Sequence, residues 1–221
     1  MLTWMHFNSA KWLNVKIRYI NTKFVCDNRG GITMSLMPAF EIGFWNAWIF
    51  IIPFIIYWFV GVRFLFSKRM PENPPLERRK DRIISQMLAL AMFFSFFYSI
   101  FVPIELGMIW FYIGLLIYFA GMILITLTMR DFATTPMDKP VTKGVYRYSR
   151  NPMFIGYFLV YAGIAIACVS WVYILLTIIF ILIVYYLSPI EEAITLEHYG
   201  KSYEEYIKRT PKWIGTAKRK L

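Results

Sequence analysis

Two short stretches of the chain carry side chains able to work on a charged ligand. Residues 141–156 read VTKGVYRYSRNPMFIG, and residues 189–211 read PIEEAITLEHYGKSYEEYIKRTP. Arg150 is permanently charged, and its planar fork matches a carboxylate. Glu191 and Glu192 can hold an ammonium or hydroxyls through charge-assisted bonds, or take a proton from an amine. Tyr146, Tyr203 and Tyr206 offer ring faces to a flat heterocycle or a cation, and hydroxyls besides. Asn151-Pro152 opens a helix whose first backbone N–H groups are free for an anion. Taken singly, each feature has a plain structural reading. Arg147 and Arg150 suit the basic flank of a membrane span, and the Glu pair suits the first turn of an interfacial helix. Tyr199, Tyr203 and Tyr206, at i, i+4 and i+7, suit a packing stripe. Only the joint arrangement argues for a site.

The elements that must position these groups follow from the charge pattern. Of 221 residues, 58% are hydrophobic and 17% charged, and the 24 Lys and Arg are clustered. Residues 44–62, 83–104, 106–129 and 151–190 carry no charge at all. Such runs read as membrane-spanning helices and exclude a soluble enzyme, a disordered tail protein and a disulfide scaffold. The run 151–190 would make one helix about 60 Å long, twice a bilayer core of about 30 Å. It must fold back, and Ala167–Trp171 is the place, with Ser170 as a cap and Trp171 suited to an interface. The expected fold is therefore all-α and integral to the membrane. Five transmembrane helices (44–64, 83–104, 106–129, 153–168 and 171–187) include a tight hairpin of spans four and five. A short cytoplasmic C-terminal helix follows. The Pro103–Gly107 turn, with Glu105, joins spans two and three.

Loop charge sets the orientation. The loops after spans one and three and the tail are rich in Lys and Arg, whereas the turns after spans two and four have none. The protein is expected in a prokaryotic cell membrane, with the basic loops and the C-terminus in the cytoplasm. Residues 1–43 form an N-terminal extension. Its first 33 residues are either an amphipathic surface helix, with Leu13, Ile17, Ile20 and Phe24 at helical spacing, or a dispensable leader before Met34. Residues 44–221 form the membrane domain, with the ligand-binding half at 130–215. Gly107, Gly114 and Gly121 recur every seven residues, as do Gly156 and Gly163, a spacing that lets helices approach closely.

Other chemistries are poorly served. The formal net charge of +11 belongs to the loops between spans and suits anionic headgroups rather than nucleic acid. Cys26 and Cys168 make no framework, and His6 and His198 are too few and too distant for a His-based metal site. No G-x-G occurs, which removes a soluble dinucleotide-type fold, and no span carries a central charge for an ion path.

In their order, and with an apolar hairpin between them, the two stretches resemble the isoprenylcysteine carboxyl methyltransferase family and its phospholipid methyltransferase relatives. Gly144, Tyr146, Arg150, Pro152 and Gly156 match the first family element; Glu191, Glu192, Tyr199, Gly200, Tyr203 and Tyr206 match the second. Asn151 stands where the family has His, and Phe154 where it has Tyr. Asn keeps donor and acceptor capacity but does not titrate near neutrality. The resemblance implies a membrane methyltransferase using S-adenosyl-L-methionine, with a lipophilic substrate entering from the lipid bilayer. It implies a cofactor pocket of Val141, Thr142, Gly144, Tyr146, Asn151, Pro152, Met153, Gly156, Glu191, Glu192, Tyr203 and Tyr206, with Arg150 and Glu192 as the catalytic pair and no metal. Carboxyl O-methylation is the leading expectation and N-methylation of an amine-headed phospholipid the alternative. A non-catalytic scaffold or lipid-binding protein stands behind both.

Overall fold

The computed structural model describes residues 22–26, 32–38, 42–61, 79–104 and 106–215. A two-stranded antiparallel hairpin, β1 (Thr22–Cys26) and β2 (Ile32–Pro38), precedes the helical body. The extension is thus not helical where it is described. Phe24, expected on an amphipathic helix, lies in β1, because strand pairing with Met34 supplies its main-chain bonds. Leu13, Ile17 and Ile20, like Glu105 and residues 62–78, lie outside the described residues.

From residue 42 onward the described chain is helical. The elements are α1 (Trp48–Gly61), α2 (Arg79–Ser99), α3 (Ile109–Ala133), a 3-10 turn (Gly144–Arg147), α4 (Pro152–Ala167), α5 (Trp171–Tyr199) and α6 (Lys201–Arg209). Among the described residues, three helices are long and apolar enough to cross a membrane: residues 82–99 within α2, all of α3 and all of α5. Helices α1 and α4 are apolar but shorter, at 14 and 16 residues, or about 21 and 24 Å. Large apolar side chains such as Phe59, Leu90, Phe93, Leu116, Ile123 and Leu182 face outward and exposed. That surface suits a hydrocarbon solvent rather than water.

The expected fold-back between α4 and α5 is a three-residue turn. The Ser170 N–H donates to Ala165 O at 3.0 Å and the Val169 N–H to Ile166 O at 3.2 Å. This is the paired closure that ends a helix with a left-handed residue. Val169 holds that conformation at φ +46°, and Ser170 Oγ accepts from the Tyr173 N–H to start α5.

Helices α3 and α4 lie almost backbone to backbone. A Cβ on Gly121 would stand 2.8 Å from Gly156 O and from Val160 N, and one on Gly163 would stand 2.6 Å from Tyr118 N. The seven-residue glycine spacing therefore builds this seam, apart from Gly107, which meets nothing within 4 Å. Tyrosine hydroxyls tie the other helices: Tyr118 donates to Phe50 O at 2.8 Å and Tyr173 to Ser95 O at 2.9 Å. With no water to compete, such bonds hold spans in register.

One boundary differs from expectation in a way that matters. Helix α5 does not stop near residue 187 but runs to Tyr199, about 43 Å in all. Glu191 and Glu192 therefore sit within a continuous helix, not in the first turn of a new one. Pro189 costs the helix a single N–H without breaking it.

Candidate functional site

The C-terminal end of α3, the N-terminal end of α4 and the last three turns of α5 meet at one end of the bundle. A cavity of about 790 Å³ opens there, lined by side chains from α3, the 134–151 loop, α5 and α6. That volume lies within the usual range for small-molecule sites.

Its first wall is the loop before α4, which local bonds hold in place. Asp131, buried at the end of α3, accepts from the Val145 N–H at 3.0 Å. The turn brings Gly144 onto that carboxylate at φ +55°, where any side chain would collide with Asp131. Glycine is thus required twice, for its conformation and for its lack of bulk. Lys143 Nζ donates to Thr134 O at 2.8 Å and closes the loop on itself.

The tail is the second support. After α6 it runs beside residues 148–151: the Arg150 N–H donates to Pro211 O at 3.0 Å, and the Gly215 N–H to Tyr148 O at 3.1 Å. Tyr206 sends its hydroxyl to Tyr146 O at 2.7 Å. Its ring is buried with that of Tyr203. Burial pushes the Tyr203 phenol up to about 12 and the Tyr206 phenol higher still, so both remain protonated. For Tyr203 the neighbouring Glu192 adds to that rise and Arg150 opposes it.

Between these supports the two sequence stretches touch. Arg150 Nη1 lies 3.2 Å from Glu192 Oε2, with the side chains 11% and 17% exposed. Asn151 Nδ2 donates to Glu192 Oε1 at 3.2 Å and to Lys212 O at 3.1 Å. The residue standing for the family His thus bridges the acid to the tail. The buried Nε of Arg150 has no hydrogen-bond acceptor among the described residues, and Nη1 meets only the carboxylate of Glu192.

Of the residues expected in the pocket, Val141, Tyr146, Arg150, Asn151, Glu191, Glu192, Tyr203 and Tyr206 line the cavity. Thr142, Gly144, Pro152, Met153 and Gly156 do not. Gly144 shapes the loop, Pro152 starts α4, Met153 packs against the core and Gly156 belongs to the seam. Sequence reasoning missed Phe132, Met137, Ile194, Thr195, Glu197 and His198 as lining residues. Ile194, Thr195 and His198 were findable, since they lie three, four and seven residues after Glu191 and continue its helical face once α5 is extended.

Residues 102–202 match the phospholipid methyltransferase family. The match bears out the phospholipid methyltransferase part of the resemblance read from the motifs, and the class it names is a membrane methyltransferase. It spans the α3–α4 seam, the hairpin and the Glu pair, and stops one residue before Tyr203. No curated protein matches the chain.

Proposed function

We propose that the protein transfers a methyl group from S-adenosyl-L-methionine to the amine headgroup of a membrane lipid. The observation that carries this reading is the charge of the cavity. Its walls hold three acidic side chains, Glu191, Glu192 and Glu197, against a single guanidinium, Arg150, which is already beside Glu192. A lining of that sign favours cationic occupants. It suits an ammonium acceptor and the cofactor's sulfonium and ammonium alike.

The residues present fit the cofactor. The guanidinium of Arg150, with Nε free of an acceptor among the described residues, matches its carboxylate, Glu191 and Glu192 its ammonium or ribose hydroxyls, and the rings of Tyr146 and Tyr203 its adenine. Bound there, the cofactor would supply an electrophilic methyl group. The protein's own part is to orient the acceptor nitrogen in line with that carbon and to exclude water, which together account for much of such a rate enhancement. Arg150 and Glu192 form one unit in this reading.

Carboxyl O-methylation, the leading expectation from the motifs, is favoured by one observation: those same Arg150 donors could orient an acceptor carboxylate. We place it second because the family match names phospholipids and the cavity is acidic. In the same reading α1 and α4 complete five spans, and the basic loops set the cavity and the C-terminus in the cytoplasm.

The test is incubation of purified protein with methyl-labelled cofactor and phosphatidylethanolamine vesicles, followed by mass analysis. Base-stable label on the lipid nitrogen is expected. Base-labile label would move the assignment to an ester, and no label on any lipid would remove the enzymatic reading.

A further inference from the structure

We propose that the tail segment 211–215 docks on anionic headgroups of the leaflet beside it and so steadies the Arg150–Glu192 pair. The docking rests on the bundle's place in a bilayer; its effect on the site rests on the reading above.

Connectivity and hydrogen bonds set the level of the tail. The apolar run of α3 ends at Arg130, which is exposed. Asp131, the next residue, accepts from the Val145 N–H, so the turn before α4 lies where the apolar belt gives way. The tail is bonded to residues 148–151 in its turn, through Pro211 O and the Gly215 N–H. It therefore runs along the rim of the bundle, at the depth of headgroups.

What the tail presents there suits an interface. The Trp213 ring packs against the core, while Ile214 beside it is 78% exposed and Tyr148 62% exposed. Lys212 Nζ stands 5.9 Å from the centre of the Trp213 ring. Aromatic rings with an outward aliphatic side chain and flanking cations make up segments that lie at headgroup level.

Charge selects the kind of headgroup. Residues 138–150 carry four cations against one acid, Asp138, and residues 206–221 carry six cations and no acid. The acids of α6, Glu204 and Glu205, are already paired with Lys208 and Arg209. A rim of that sign attracts anionic lipid.

One tail carbonyl links the rim to the site. Lys212 O accepts from Ser149 Oγ at 3.3 Å and from Asn151 Nδ2 at 3.1 Å, and the same Asn151 amide donates to Glu192. A chain end is poorly ordered unless it is tied down. Headgroups holding Arg147, Lys212 and Ile214 add a tie to the main-chain bonds, and the shared carbonyl passes it to Asn151 and Glu192.

The experiment places full-length protein in phosphatidylcholine nanodiscs, with and without phosphatidylglycerol, and follows hydrogen exchange at the Arg150 and Gly215 amides without cofactor. Phosphatidylglycerol should slow both by about tenfold. The slowing should vanish in about 1 M salt, where the screening length is about 3 Å. Arg147→Gln/Lys212→Gln should exchange at the phosphatidylcholine rate in both lipids. The Ser170 N–H, at the far turn, should keep the parent's protection throughout, which shows that the variant is folded. Equal exchange in the two lipids, or slowing that survives salt or the double variant, overturns the docking and leaves the methyl-transfer reading standing. For the link, calorimetry should show S-adenosyl-L-methionine binding the parent about fivefold more tightly with phosphatidylglycerol, and the double variant equally in both lipids. Slowed exchange with unchanged cofactor affinity overturns the link alone. No cofactor heat in any disc overturns the methyl-transfer reading and the link with it, while the exchange rates still decide the docking.

Discussion

The two ends of the α4–α5 hairpin are built to opposite rules. At the turn, residues 168–170, main-chain bonds and the Ser170 hydroxyl close both helix ends, and no charge is present. At the other end Arg150 Nη1 forms an ion pair with Glu192, and the guanidinium Nε has no hydrogen-bond acceptor among the described residues. The closed end fixes how the helices leave one another, while the open end holds back interactions that a ligand can complete. The glycine seam between α3 and α4 connects the two and carries the geometry of one to the other.

The largest expected effect comes from breaking the open end. Glu192→Ala leaves Arg150 buried without a counter-ion, and loss of one partner of such a pair costs about 3 kcal/mol, less whatever solvent screens. Cofactor affinity measured by calorimetry should fall by up to about 100-fold, since 1.4 kcal/mol is tenfold. A variant that binds as the parent does would show that the pair lies outside the site.

Next in size is the seam. Gly121→Ala forces a methyl group against the backbone of α4 and should cost about 1–3 kcal/mol, read as a lower unfolding midpoint in detergent. The same change at Gly107, which meets nothing, should leave that midpoint in place. Equal effects at both positions would deny that the seam is special.

The closed end can be sharpened instead of broken. Val169 occupies a left-handed conformation at φ +46°, which a β-branched residue tolerates poorly. Val169→Gly should raise stability by about 1 kcal/mol, the handedness penalty relieved less the entropy cost of glycine. A loss of stability would mean that the valine side chain contributes more than its backbone costs.

The smallest effect is in alkaline titration. With the Tyr203 phenol at about 12 in the folded protein, against about 10 when unfolded, the folded state binds the extra proton between those values. Its contribution to stability is therefore constant below pH 10 and declines as pH rises toward 12. Tyrosinate absorbance of parent and Tyr203→Phe should coincide up to about pH 10.5. An earlier divergence would place Tyr203 in contact with water.

Much of the closed end was legible in the sequence. A charge-free run too long for one span demanded a reversal, and Ser170 ahead of Trp171 marked its place. The glycine period declared the seam because only small residues at a fixed spacing allow that approach. The meeting of Arg150 with Glu192 was legible only as a pattern of two motifs across a hairpin. What stayed hidden depended on chain paths that local residues do not set. Nothing in Glu191-Glu192 announces that α5 continues through them, since an acidic pair after an apolar run reads equally as the first turn of a new helix. The pairing of residues 211–215 with 148–151 uses main-chain atoms, which leave no signature in side-chain types. Gly156, matched as a motif residue, turned out to serve helix packing, a role its spacing from Gly163 had already stated.

The most direct test of the central claim is calorimetric titration of the full-length protein with S-adenosyl-L-methionine, with NADPH as the comparison. The account predicts saturable heat from the first at one site per chain, none from the second, and loss of the signal in Glu192→Ala. Heat from neither compound, or equal binding by Glu192→Ala, would contradict it.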